Sequence, residues 1–313
     1  MRLVFFGTPE FAVPSLEALV AAGHQILAVI TQPDRPAGRG CKLAPPPVRT
    51  AVLRLGLPVH QPEHIRRPEF VQWLRELGPE AMVVVGYGKI IPQSIIDIPP
   101  HGIVNLHASL LPKYRGAAPI EWAMAHGETR TGVTTMLIDA GLDTGDILLQ
   151  RETCIGEEET AVELRIRLAV MGAELLVETL RGLEAGKILP RPQDHSQATL
   201  APMLRKEDGR IDWNWTATQI ANRVRAFVPW PGTYSWLHGK LLHIWRARPA
   251  AVSASGPPGS LHVGKGQLWV SCGAATMLEI FELQLEGRRR LCAAEFLRGM
   301  RLAENEMLGE MTS

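Results

Sequence analysis

The chain has 313 residues, 33 Lys and Arg against 32 Asp and Glu, and an apolar content of 46%. That length suffices for two domains and a sizeable core, while the balance of charge excludes a global basic field and leaves only local patches for nucleic acid. The four cysteines, Cys41, Cys154, Cys272 and Cys292, form no C-x-x-C pair, which argues against zinc and a disulfide framework and fits a reducing cytoplasm.

Residues 3–6 (Leu-Val-Phe-Phe) predict a strand, 14–22 a helix closing near Gly23, and 26–31 a second strand. Residues 48–55 predict a helix, 59–61 a short strand, 69–77 a helix and 81–85 a continuously apolar strand. Further strands are expected at 103–107 and 133–138, and a long amphipathic helix at 160–183. Alternation of helices with continuously apolar strands implies a parallel sheet covered on both faces. The pattern changes at 187–206, where Pro190, Pro192 and Pro202 stand among polar residues. This stretch reads as an interdomain linker. Beyond it, strand-like runs at 241–245, 267–271 and 277–285 are separated by Gly- and Ser-rich turns, and 293–301 closes as a helix. A small β-barrel or sandwich is expected there. The division is therefore 1–186, a linker at 187–206, and 207–313. No leader peptide and no membrane-spanning run is expected.

Several motifs invite chemistry. Gly7-Thr8-Pro9 follows the first strand, but one glycine and a proline without an N–H do not make a pyrophosphate cradle. Residues 259–266 approach a phosphate-binding G-x-x-x-x-G-K-G loop. Gly266 stands where Ser or Thr is needed, and strands surround it, so a hairpin turn is expected. Arg223-Val-Arg-Ala-Phe-Val-Pro-Trp-Pro-Gly232 mixes arginines with aromatics that could stack on bases, but reads as packing at an interdomain seam.

The densest signal is the run from Asn105 to Pro119. Asn105 and His107 stand two apart at a strand end, so they share one face with Leu106 behind them. Asp143, in a Gly-rich acidic loop after the strand at 133–138, is a candidate partner, because open α/β sheets bind ligands beyond the carboxyl ends of their strands. A structural histidine and a turn aspartate remain the other reading. Ser109 with His107 and Asp143 suggests a hydrolase, but the G-x-S-x-G elbow is absent. No H-E-x-x-H metal motif occurs. Residues 35–42 form a basic, Gly-containing loop suited to phosphate or to solvent.

Taken together, Asn105-x-His107-x-Ser109-Leu110-Leu111-Pro112 and Tyr114-Arg115-Gly116-Ala117-Ala118-Pro119 resemble the signature of the folate-dependent formyltransferases. Gly141-Leu142-Asp143-Thr144-Gly145 is similar to their second signature loop. Residues 32–40, 209–213 and 225–232 resemble the insert and C-terminal domain of the branch that acts on methionyl-tRNA, and the resemblance covers nearly the full length.

The resemblance implies a Rossmann-like, mostly parallel α/β catalytic domain followed by a small OB-like β-barrel domain. It implies formyl transfer from 10-formyltetrahydrofolate to the methionine amine of initiator methionyl-tRNA, with no metal. Asn105 would donate to the oxyanion, His107 would move the proton, and Asp143 would orient His107. Ser109, Leu110, Leu111, Pro112 and Asp139 would line the folate. Arg35, Arg39 and Lys42 would meet the acceptor end of the tRNA, and Lys187, Arg191, Arg205 and Lys206 would track phosphates. A cytoplasmic monomer without an obligate protein partner is expected. A formyltransferase for a small amine (ribonucleotide or sugar nucleotide) and a noncatalytic RNA-binding module are the alternatives. The basic insert and second domain speak against the first, and the intact Asn105, His107 and Asp143 against the second.

Overall fold

The computed structural model describes residues 1–37, 42–303 and 306–309. The chain forms two compact units. One holds residues 1–119, 130–154 and 165–201, and the other holds 120–129, 155–164 and the chain from 202 onward. No helix among the described residues is long and apolar enough to cross a membrane.

In chain order to residue 201, the elements are β1 (Arg2–Gly7), α1 (Val13–Ala21), β2 (Gln25–Ile30), β3 (Arg35–Ala37), β4 (Lys42–Ala44), α2 (Pro47–Leu55), β5 (Val59–His60) and α3 (Pro68–Leu77). Next come β6 (Ala81–Val85), α4 (Gln93–Ile96), β7 (Ile103–His107), β8 (Arg115–Gly116), α5 (Pro119–Ala125), β9 (Arg130–Leu137), β10 (Ile147–Cys154), α6 (Ala161–Glu184) and β11 (Leu200–Ala201). Prolines in the first turn open α1, α2 and α3, where a missing N–H breaks no helical bond. Gly56 and Gly78 close α2 and α3 in the left-handed conformation, with φ of +66° and +58°.

The main sheet of the first unit runs β10-β9-β7-β6-β1-β2-β5. From β7 to β5 all neighbours are parallel. Leu3, Val4, Phe5 and Phe6 of β1 are fully buried, as a central strand covered on both faces requires. The chain winds outward from β1 through β2 to β5, then returns to β6 on the other side of β1. This reversal is where open sheets bind ligands, beyond the strand C-termini. The sheet is therefore mostly parallel and Rossmann-like, but not wholly so. β9 runs antiparallel to β7, and β10 antiparallel to β9. β10 escapes sequence reading because Gln150, Arg151 and Glu152 interrupt its apolar run.

The stretch 187–206, read as linker, begins inside the first unit. Arg191 bridges Ile147, β11 pairs in parallel with β8, and Gln193 is buried. Its prolines keep the regular structure short without preventing packing.

The second unit adds α7 (Ala217–Ala226), β12 (Thr233–Leu237), β13 (Lys240–Ala250), β14 (Leu261–Gly264), β15 (Gln267–Ser271), β16 (Met277–Leu285), β17 (Leu291–Cys292) and α8 (Ala293–Gly299). Its strands are antiparallel in the order β12-β13-β16-β15-β14, with β17 on β16. Ile220 and Val224 of α7 pack with Ile244, Val270, Leu278, Ile280 and Leu283 in one core. Two hairpins turn on two residues each, His238-Gly239 and Lys265-Gly266, all with positive φ as such turns demand. The second lies in the Gly259–Gly266 run, which is a hairpin and not a phosphate loop. α7, unexpected from sequence, opens with a capping box between Thr216 and Gln219. Arg223 lies 4.2 Å from the centroid of Trp215, so the Arg- and aromatic-rich run packs within this unit.

A side chain at position 132 has no room in β9. A Cβ there would lie 2.2 Å from the Arg151 carbonyl oxygen and 2.6 Å from a Leu110 methyl. Gly132→Ala is expected to lower stability by about 1–3 kcal/mol, read from the denaturant midpoint. Burial pushes the Cys272 thiol up to about 12. A thiol reagent near pH 8 is therefore expected to modify the exposed Cys154 and Cys292 and to reach Cys272 only after unfolding.

Candidate active site

The site grows from the carboxyl end of β7. Alternation along the strand puts Asn105 and His107 on one face. Leu106 points the other way, against Gly172 of α6, where a Cβ would meet a Leu106 methyl at 2.6 Å. Asn105 is half-buried between its strand neighbours Val84 and Met136. Among the described residues its side-chain amide makes no hydrogen bond, so both hydrogens and the oxygen are open to a ligand.

His107 is 6% exposed. Its Nε2 donates to the Tyr114 carbonyl oxygen at 2.8 Å, since a carbonyl can only accept. In the neutral ring the lone pair therefore lies on Nδ1. Nδ1 faces Asp143 Oδ2 at 3.7 Å, an ion-pair separation longer than a hydrogen bond. Asp143 sits in the β9–β10 loop with φ of +52°. Its Oδ2 accepts the Gly116 backbone N–H at 2.8 Å. Gly116 has φ of +124°, and a Cβ there would lie 2.6 Å from the Ala201 carbonyl oxygen, so glycine is required at this close approach. The structure thus brings Asn105, His107 and Asp143 to one strand end.

The run after His107 is tightly bonded. Ser109 Oγ donates to the Lys113 carbonyl, which commits that hydroxyl to its own turn and away from His107. Thr134 Oγ1 donates to the Ser109 carbonyl and accepts from the Leu111 N–H. Gln150 donates to the Leu111 carbonyl. Leu111 packs with Met136 and Ile147, Leu110 lies over Gly132, and the Leu111–Pro112 peptide is cis. Asp139 is exposed and accepts from the Gly141 N–H and the Thr144 hydroxyl, so it shapes the loop that carries Asp143.

Four groups escape sequence reading. The Tyr114 carbonyl and Gly116 N–H are backbone groups, and no side-chain pattern announces them. Gln193, in the Pro-rich stretch, donates to the carbonyls of Asp143 and Gly145 at 2.9 and 2.7 Å. Arg115, 7% exposed, donates from Nε and Nη2 to Gln193 Oε1 at 3.1 and 2.6 Å.

The cations expected to meet RNA are spread widely. Arg35 pairs through its backbone with Ala44 in the β3–β4 hairpin. Arg39 and the Lys42 side chain lie outside the described residues. Before the hairpin, the Gln61 amide and the Arg49 guanidinium hold the Asp34 carboxyl below the usual carboxylate range. Lys187 and Arg191 are exposed in the first unit, and Arg205 and Lys206 in the second. Among the described residues, no group of three or more His, Cys, Asp and Glu side chains is placed to hold a metal ion.

Comparison with known proteins gives a consistent picture. Residues 1–180 match the family model described as formyl transferase, and 203–301 match formyl transferase, C-terminal domain. A protein of Solibacter usitatus named methionyl-tRNA formyltransferase is 61% identical over 310 residues, 99% of each chain. A protein of the same name from Koribacter versatilis is 55% identical over 314 residues, the whole of both chains. Among solved structures, an N-formyltransferase from Helicobacter canadensis in complex with folinic acid and dTDP-3-aminofucose superposes with a TM-score of 0.67. It is 17% identical and covers 90% of this chain and 98% of its own, a likeness of fold alone.

Proposed function

The chain belongs to the formyl transferase family, and on that premise we propose that it transfers a formyl group from 10-formyltetrahydrofolate to the α-amino group of methionine on initiator tRNA. One observation carries the chemistry: an Asn105 amide with no hydrogen bond among the described residues, on the same strand face as a His107 ring whose only proton-accepting nitrogen faces Asp143. The name shared by full-length relatives, matched across both units, supports methionyl-tRNA as the acceptor.

An α-amino group ordinarily titrates at roughly 7.7–8.0, so a share is protonated near neutrality, and only the neutral form attacks. Its lone pair adds to the formyl carbon, and the carbonyl oxygen takes up the negative charge. Asn105 donates an amide hydrogen to that oxygen. The adduct nitrogen gives its proton to His107 Nδ1, where the Asp143 carboxylate balances the new charge. The bond from the formyl carbon to the folate nitrogen then breaks. The leaving nitrogen keeps the electron pair and takes the proton from His107. Formyl-methionine and tetrahydrofolate result, and the enzyme returns to its starting state. No acyl-enzyme forms, because the amine is itself a competent nucleophile.

Ser109 to Pro112 line the folate, and Asp139 shapes the loop beside it. Arg35, Arg39 and Lys42 meet the acceptor end of the tRNA, while Lys187, Arg191, Arg205 and Lys206 follow its phosphates. The protein acts as a monomer, with the chemistry in residues 1–186 and a further RNA-binding domain in 207–313, joined by 187–206.

Incubation with 10-formyltetrahydrofolate and charged initiator tRNA is expected to yield formyl-methionine, with amino sugar nucleotides inert in parallel. Formylation confined to the small amines would overturn the reading. Asn105→Ala is expected to lower kcat/KM by about 100- to 1,000-fold, the effect of losing one oxyanion donor, and His107→Ala to abolish turnover with the fold intact. Arg39→Ala is expected to raise KM for tRNA while leaving the folate KM unchanged. Binding of tRNA to the wild-type chain should weaken steeply with salt, as phosphate contacts require.

A further inference from the structure

We propose that Gln193, oriented by Arg115, is a positioning residue that holds the Asp143 loop in its working geometry. The inference rests on the formyl-transfer reading above, which gives Asp143 its part in the reaction.

Asp143 has φ of +52°, a left-handed conformation that aspartate tolerates without preferring. Its neighbours must therefore hold it there. Its carboxylate is tied by the Gly116 N–H. Its backbone is tied by Gln193, whose two amide hydrogens reach the carbonyls of Asp143 and Gly145, at 2.9 and 2.7 Å. One side chain thus spans two carbonyls of the same loop.

Arg115 decides which end of that amide faces the loop. Its Nε and Nη2 both converge on Gln193 Oε1. A guanidinium only donates, so the amide oxygen must face it, and the NH₂ group must face the loop carbonyls. Nη2 also donates to His195 Nδ1 at 3.0 Å, which leaves the His195 hydrogen on Nε2 in the neutral ring. Both Arg115 and Gln193 are buried, at 7% and 6% exposure, and each is a hydrogen-bond partner of the other.

Arg115 also lies between the two backbone groups that serve the site. Tyr114 before it accepts from His107, and Gly116 after it donates to Asp143. Thr199 secures the same run, taking the Tyr114 N–H on its Oγ1 at 2.9 Å and the Arg115 N–H on its carbonyl at 2.8 Å. Residues 193–201 therefore brace both partners of the His107 ring. A carboxylate at position 193 would keep the contact with Arg115 and set oxygens against the loop carbonyls.

Gln193→Glu, nearly isosteric, and Gln193→Ala test this in the full chain. Amide hydrogen exchange over residues 139–146 is expected to accelerate at least tenfold in both variants, with exchange in β1, β6 and β7 unchanged. The kcat for formylation is expected to fall about 10- to 100-fold, the scale of a misplaced catalytic group, with KM for folate and tRNA within threefold of wild type. Unchanged loop exchange in both variants would overturn the proposal. So would acceleration spread evenly over the whole unit, or faster loop exchange with kcat intact. A wild-type chain that fails to formylate methionyl-tRNA would defeat the functional reading instead, while the exchange difference would still decide whether Gln193 holds the loop.

Discussion

The His107 ring is fixed by a single hydrogen bond, from Nε2 to the Tyr114 carbonyl at 2.8 Å, and the surrounding structure answers to that bond. It sets the tautomer, so the basic nitrogen faces Asp143. It requires the Tyr114 carbonyl to point back toward β7, and Tyr114 adopts φ of +61° in the turn that does so. That turn in turn needs the bonds that the Tyr114 and Arg115 N–H groups donate to Thr199 and the close approach of Gly116 to Ala201. A buried imidazole anchored through Nε2 cannot swing to meet a substrate. Substrate and donor must come to it, at the end of the strand.

The central sheet was legible because its strands are continuous apolar runs between helices with prolines at their starts and glycines at their ends. Residues 81–85 and 103–107 were read at their observed bounds, since Val, Ile and Leu leave little ambiguity there. β10 was not legible, because Gln150, Arg151 and Glu152 look like a solvated loop until β9 is beside them. Asn105, His107 and Asp143 stood out as side chains. The groups that orient them did not, because two are peptide groups. The third, Gln193, is a polar residue in a proline-rich stretch, where composition argues for solvent and packing overrules it.

The second unit shows the same limit in another form. Three of its arginines are engaged by neighbouring carboxylates. Arg246 and Arg290 pair with Glu282, and Arg248 pairs with Glu279. Arg246 and Arg248 also lie 5.0 and 4.9 Å from the centroid of the Phe281 ring. Counting cations along a β-rich sequence overstates the charge available to a polyanion, because cross-strand neighbours, invisible in one dimension, neutralise them.

The reversal of β9 and β10 has a further consequence for the sheet. A parallel sheet of five apolar strands would end in sticky borders, ready to recruit a strand from another chain during synthesis or after partial opening. Here one border is β5, only two residues long. The other is β10, where Arg151 is tethered to Glu174 and Glu178, and Glu152 to Arg130. The charges that hide β10 in the sequence are those that a guarded sheet border is expected to carry.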